Sequence, residues 1–219
     1  MISDKKKFIF IHIPKAAGST VRYTLRSYGN RPNWFARKSD MLFQKFFNVC
    51  LLRTNDLPGH ATAAEVRSIV GEQFFDYYSF SFVRNPFDLE VSLYHYIKKN
   101  PEHHQHETVK KLSFLQFIEL RHQDHTSQHK YVMDTDGKCI VDFVGRFESF
   151  DVDFASICKK LGLRAKVIHK NKSNHKYYAE YYCSASREIV TEIHKNDFEI
   201  FGYNQDVKIA EFLPMSLTR

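Results

Sequence analysis

The stretch Phe8 to Leu25, FIFIHIPKAAGSTVRYTL, limits the possible folds of this chain more than any other. Its opening Phe-Ile-Phe-Ile-His-Ile is β-branched or aromatic apart from His12, the pattern of a short buried strand and too short to cross a membrane. Pro14 ends that strand, Lys15 to Gly18 are mostly small or flexible, and Ser19-Thr20 supply hydroxyls where Val21 to Leu25 begins a helix. Such a strand, loop and helix start offers free backbone amides, the positive end of a helix dipole and one mobile ammonium to a phosphate-like group.

The rest of the composition bears on what that loop can serve. With 219 residues, 43% of them hydrophobic, the chain can bury a core, and we expect one domain over residues 1–219 with 206–219 as a tail. Thirty-two Lys and Arg against 25 Asp and Glu give a formal charge of +7, which suits an anionic cofactor, acidic glycan, nucleic acid or membrane surface. Cys50, Cys139, Cys158 and Cys183 are widely spaced, without a Cys-x-x-Cys pair, and read as buried or free thiols. The N-terminal residues carry no signal-peptide core and no apolar run of about 18 residues, so the expectation is a soluble, cytoplasmic protein. The Golgi lumen would follow only for a chain cut from a membrane anchor.

A second stretch repeats the logic of the first. In Tyr77 to Tyr96, Ser79 to Val83 reads as a strand, Arg84-Asn85-Pro86 breaks it, and Asp88 is a candidate N-cap for a helix over Leu89 to Lys98. Arg84 at the strand's carboxyl end and Ser92 within the helix can both reach a phosphate over the edge of a parallel sheet, and the arginine fork binds phosphate oxygens in pairs. The plainer alternative pairs Arg84 with Asp88 and leaves Ser92 an ordinary helix residue. Between the two stretches, Pro58-Gly59 places His60 at a loop or helix start, where an imidazole can take a proton from a substrate hydroxyl.

Ile11 to Thr20 (IHIPKAAGST), Phe82 to Asp88 (FVRNPFD) and Ser92 to Tyr96 (SLYHY) together resemble the carbohydrate sulfotransferases of the heparan sulfate 2-O-sulfotransferase and chondroitin sulfotransferase type, closest to their small, bacterial-looking members. The similarity extends through Val141 to Glu148 (VDFVGRFE), Asn171-Lys172-Ser173 and Asp197 to Tyr203 (DFEIFGY). It implies a donor, 3′-phosphoadenosine 5′-phosphosulfate, with its 5′-phosphosulfate in the first motif and its 3′-phosphate on Arg84 and Ser92. It also implies sulfuryl transfer to a hydroxyl of a carbohydrate or glycolipid acceptor, without a metal.

Under that resemblance the roles divide. Lys15 neutralises charge developing on the bridging oxygen, Ala17, Gly18, Ser19 and Thr20 hold the 5′-phosphate, and His60 deprotonates the acceptor hydroxyl, with Glu65 and His12 next in line as base. Two departures stand out: Ala16-Ala17 where the family commonly has Gly-Gly or Thr-Gly, and Leu89 where it has a basic residue.

Elsewhere, Tyr28 to Leu52 mixes Arg, Lys and aromatics without a clean period. His122, His125 and His129 have offsets that can share a helix face, a thin basis for a metal site. Leu112 to Leu120 reads as a core helix, Thr126 to Tyr131 as neighbours of the acceptor, Ile140 to Val144 as a third strand, and Phe150 to Leu161 and Ser186 to Asn196 as helices; His169 to Ser173 is a basic loop able to close over a nucleotide. The architecture expected is a single α/β domain, P-loop-like and three-layered, with helices around a central parallel sheet and the ligand at the strands' carboxyl ends. Two rivals remain. A nucleotide kinase or other NTPase lacks the Gly-x-x-x-x-Gly-Lys order here, and a non-catalytic module for anionic glycans has no need of Lys15, Arg84 and Ser92 as a set.

Overall fold

The computed structural model describes residues 1–30, 59–123, 125–165, 167 and 176–206. The aromatic-basic stretch 31–52 with Cys50, the basic loop 168–173 and the tail 207–219 lie outside the described residues. The fold is α/β: a four-stranded sheet in the order β1 (Ile2–Ser3), β2 (Phe8–Ile11), β3 (Tyr78–Val83), β4 (Phe143–Arg146), flanked by helices. β1 runs antiparallel to β2 at the edge, and β2, β3 and β4 are parallel.

Both faces of the parallel strands are buried: β2 is a continuous apolar run, and in β3 the buried Ser79 and Ser81 hydroxyls bond Asp142 and the Ile11 carbonyl. All four residues of β2 are at most 1% exposed. Phe10 registers with Phe80, their rings 5.3 Å apart, and Phe80 registers with Phe143. Phe82 packs on Phe150 and Phe154, which stack on each other from the helix that follows β4. A Cβ on Gly145 would stand 2.6 Å from the Phe82 ring, so this close layer needs a glycine in β4.

The third strand begins later than the sequence suggests. Ile140 and Val141 precede it, and Asp142 turns its carboxylate onto Ser79, accepting from the backbone N–H at 2.8 Å and from Oγ at 2.7 Å. A side chain thus takes the place of a ladder bond, and strand pairing starts at Phe143.

The helices are α1 (Gly18–Thr24), α2 (Ala63–Val70), α3 (Pro86–Lys99), α4 (His106–Val109), α5 (Phe114–Gln123), α6 (Phe150–Lys160), α7 (Ser184–Ile193) and α8 (Lys195–Phe201). α3 starts three residues before the expected position: Asn85, not Asp88, caps it by accepting from Phe87 N–H at 2.9 Å, and Pro86 fills the first turn, where its missing N–H costs nothing. The last predicted helix is two, broken at His194, whose ring is drawn into the protein by two buried carboxylates. α8 ends on Gly202 in the left-handed conformation, and Arg146 from β4 donates to the Phe201 and Gly202 carbonyls while lying over the Tyr203 ring. The motif Asp197 to Tyr203 is therefore a structural clasp on the sheet. Among the described residues no helix is long and apolar enough to cross a membrane.

Candidate active site

The carboxyl ends of β2, β3 and β4 deliver three loops to one edge of the sheet, the usual place for a ligand in an open α/β fold. There they line a cavity of about 1490 Å³. Lys15, Ala17, Gly18, Ser19, Thr20, His60, Arg84 and Ser92, the whole predicted set, contribute to its wall.

The first loop is strained at two residues. Lys15 and Ala17 have φ of 63° and 61°, left-handed values that a Cβ disfavours, and Ala17 in this conformation is the N-cap of α1. A Gly at 17 would relieve the strain, which is the physical content of the chain's departure to alanine there. Gly18 is obligatory for another reason: a Cβ would stand 1.7 Å from His12 Cδ2. The imidazole of His12 lies directly over the loop backbone.

His12 contacts His60 as well as the loop. Its backbone carbonyl meets His60 Nδ1 at 3.1 Å, and the two rings are 4.4 Å apart. A carbonyl only accepts, so Nδ1 carries the hydrogen and the neutral ring keeps its lone pair on Nε2, the form a general base requires. His60 is exposed, whereas His12 is largely buried, and burial, then His60 and Arg22, push its pKa down to about 3. His12 Nδ1 is buried with no hydrogen-bond partner among the described residues. A neutral, enclosed His12 suits holding the loop better than taking protons. Glu65, the other candidate base, is committed elsewhere: it accepts from the Thr62 N–H at 2.7 Å in a capping box at the start of α2.

Lys15 extends over the ring of Tyr96, Nζ 4.1 Å from its centroid, a contact with no signal in the sequence beyond the aromatic itself. Burial, and then the charge of Arg84, lower its pKa to about 8. Arg84 is held on several sides. Nε donates to Asp88 at 2.8 Å, Nη1 donates to the Lys15 carbonyl at 3.1 Å, and the guanidinium lies 4.0 Å over the Phe147 ring. The ion pair with Asp88 that the sequence offered as the plain alternative is thus present, and it aims the fork into the cavity rather than away from it. Ser92 sits on α3 beside it, 4% exposed. Leu89, the other departure, is buried in the cavity wall.

Sequence reasoning missed the layer behind these residues. Glu148 accepts from the Asn85 N–H at 2.7 Å and the Tyr203 hydroxyl at 2.9 Å, and its pKa is raised by burial. Gln128 bonds both polar groups of the Arg84 backbone. Behind Gln128 lies a buried polar chain: Asp197 bonds His129 and His194, His194 bonds Glu90, and Glu90 pairs with Arg121 at the cavity wall. Of the stretch expected near an acceptor, Thr126, Gln128 and Tyr131 line the cavity, while Ser127 and His129 bond Ile193 and Asp197. The three histidines considered for a metal are dispersed, His122 facing Glu192, His125 the Ile193 carbonyl and His129 Asp197. Among the described residues no group of three or more His, Cys, Asp or Glu is placed to hold a metal ion. Cys139, Cys158 and Cys183 are free thiols.

No solved structure gives a significant match to the chain. An uncharacterized protein of Archaeoglobus fulgidus is 34% identical over 101 residues, which span 45% of this chain and 79% of that protein. The sequence profile of the sulfotransferase family matches residues 1–204, the loops after β2 and β3 and the closing clasp included, and the chain belongs to that family of sulfuryl-transferring enzymes.

Proposed function

We propose that the protein transfers a sulfuryl group from 3′-phosphoadenosine 5′-phosphosulfate to a hydroxyl of a carbohydrate or glycolipid acceptor. The observation that carries this reading is the meeting, in one cavity, of the Lys15 to Thr20 loop, Arg84 with Ser92, and a histidine whose Nδ1 is tied to a backbone carbonyl. Lys15 and the backbone of Ala17 to Thr20 take the 5′-phosphosulfate, and Arg84 with Ser92 takes the 3′-phosphate. Two anionic groups on one nucleotide match two grips better than the contiguous chain of a nucleoside triphosphate does.

The acceptor oxygen attacks sulfur as the bond from sulfur to the 5′-phosphate oxygen breaks, in line. His60 Nε2 takes the acceptor's proton, and Lys15 meets the charge that appears on the leaving oxygen. The products are a sulfate ester and adenosine 3′,5′-bisphosphate. A formal charge of +7 favours anionic partners on the acceptor side as well.

Thermal shift tests the donor. Adenosine 3′,5′-bisphosphate should stabilise the protein, and Lys15→Ala or Arg84→Ala should remove the effect. Stabilisation by ATP with magnesium instead would favour the kinase reading and end this one. A labelled-donor screen over glycans and glycolipids then identifies the acceptor. His60→Ala should keep donor binding while transfer falls about a hundredfold or more; unchanged transfer places the base elsewhere.

A further inference from the structure

We infer that Gln128 is a positioning residue for the 3′-phosphate grip, acting through the main chain of Arg84. The inference rests on the donor reading above. Arg84 lies one residue past the last ladder pair of β3, Val83 with Arg146. The Phe147 N–H completes that last ladder pair by donating to the Val83 carbonyl at 2.7 Å. On the other side the ladder with β2 has already ended at Ile11 and Ser81, so neither neighbouring strand pairs with Arg84. Gln128 supplies what a strand would have supplied: its Oε1 accepts from the Arg84 N–H at 2.9 Å, and its Nε2 donates to the Arg84 carbonyl at 2.8 Å. Its side chain mimics one peptide unit of a β-partner.

Gln128 is itself fixed. It is 1% exposed, and its own N–H donates to Asp197 Oδ2 at 2.8 Å. The other Asp197 oxygen accepts from the His129 N–H and faces His129 Nδ1, each at 2.8 Å. Asp197 is thereby anchored to the clasp at the end of the fold and Gln128 to Asp197. The Arg84 side chain is aimed by Asp88, the Lys15 carbonyl and Phe147, but its Cα is set by Gln128. Without the amide, two buried backbone groups lose their partners, and the main chain must shift to find others. A small displacement at the base of a long side chain misaligns a bidentate grip on phosphate.

The test compares two nucleotides that differ only by the 3′-phosphate, adenosine 3′,5′-bisphosphate and adenosine 5′-phosphate, by titration calorimetry. Gln128→Met preserves size and removes both hydrogen bonds. It should weaken the bisphosphate about tenfold while leaving the monophosphate within about twofold. Gln128→Glu keeps the bond to the Arg84 N–H but sets a carboxylate against the Arg84 carbonyl, and should show the same selective loss if the methionine variant does not fold. A parallel loss for both nucleotides, an unchanged ratio, or unfolding of both variants overturns the inference and leaves Gln128 a packing residue. The native protein separates the two levels: if it binds the two nucleotides equally, the donor reading itself fails.

Discussion

Arg84 donates to the backbone carbonyl of Lys15 at 3.1 Å, a hydrogen bond that joins the loop after β2 to the loop after β3. The contact uses one arm of the guanidinium, the bond to Asp88 uses Nε, and the Arg84 side chain is 5% exposed. Arg84→Lys keeps the charge but cannot make both bonds, since an ammonium is a point donor without the planar fork. The substitution should weaken binding of adenosine 3′,5′-bisphosphate about tenfold and destabilise the fold by about 1–3 kcal/mol. Calorimetric titration and thermal melting check the two parts; a lysine variant with native affinity would show that charge alone serves there.

Gly18→Ala tests the contact between the phosphate loop and His12. The new Cβ would meet the imidazole well inside van der Waals distance, and the ring is hemmed in by Phe10 and His60. Overpacking of this kind costs about 1–3 kcal/mol, and displacing His12 also moves the carbonyl that orients His60. The melting temperature and the transfer rate should both fall, while Gly18→Ala combined with His12→Ala should recover most of the stability. A single variant that melts with the native protein would mean that the ring moves aside freely.

The two loops that meet at the cavity were legible because each is local: a hydrophobic strand, a break and a charged or hydroxyl side chain within about ten residues. The strands Phe8 to Ile13 and Ser79 to Val83 were legible for the same reason. The cap of α3 was not, because Asn85 and Asp88 are both good N-cap residues and only the partner of Asp88, Arg84, decides between them. Gln128, Glu148 and the carboxylates Glu90 and Asp197 were not legible as a supporting layer. The bonds that tie them together, Gln128 to Arg84, Glu148 to Asn85, Asp197 to Gln128 and Glu90 to His194, span 44 to 104 residues, and no short-range pattern marks a glutamine as a substitute strand. His194 looked like part of a continuous amphipathic helix, since periodicity records where a side chain can point but not which buried charge draws it in.

Under the proposed donor reading, Lys15 should make donor affinity pH-dependent. Burial, with Arg84 adding to it, brings its ammonium to a pKa of about 8. Below that pH the side chain is already charged when the ligand arrives, and above it binding must take up a proton. Affinity for adenosine 3′,5′-bisphosphate should therefore be level from about pH 7, above the second ionisation of its phosphates, to about pH 8, and fall by at most about tenfold per unit beyond it. Lys15→Arg, charged throughout, should give a flat profile over the same range. Calorimetry in buffers of differing ionisation enthalpy counts the protons directly; a native profile as flat as the arginine variant's would show that Lys15 does not touch the ligand.

His194 makes the stability of the fold pH-dependent on the alkaline side. Its Nδ1 meets Asp197 Oδ2 and its Nε2 meets Glu90 Oε1, both at 2.9 Å, so the ring is held with a hydrogen on each nitrogen. Burial disfavours the charged ring, but the two carboxylates outweigh it and raise the pKa from 6.5 to about 9. A group whose pKa rises on folding stabilises the fold fully below its unfolded value and loses that contribution as the pH climbs through the folded one. For the carboxylates burial also opposes the charge, and His194 with Arg121 for Glu90, and His129 with His194 for Asp197, hold both below their ordinary range. Their contribution is present above their unfolded values of 4.5 and 3.8 and is lost only in stronger acid. The contribution of this cluster should therefore be greatest between about pH 5 and about pH 6.5 and decline toward pH 9. His194→Gln, less stable throughout because it leaves two buried carboxylates short of a cation, should lose most of the alkaline slope. Thermal melting of both proteins across the range decides it: the gap between native and variant should narrow from about pH 6.5 to about pH 9, and a constant gap would mean that the ring is neutral in the fold.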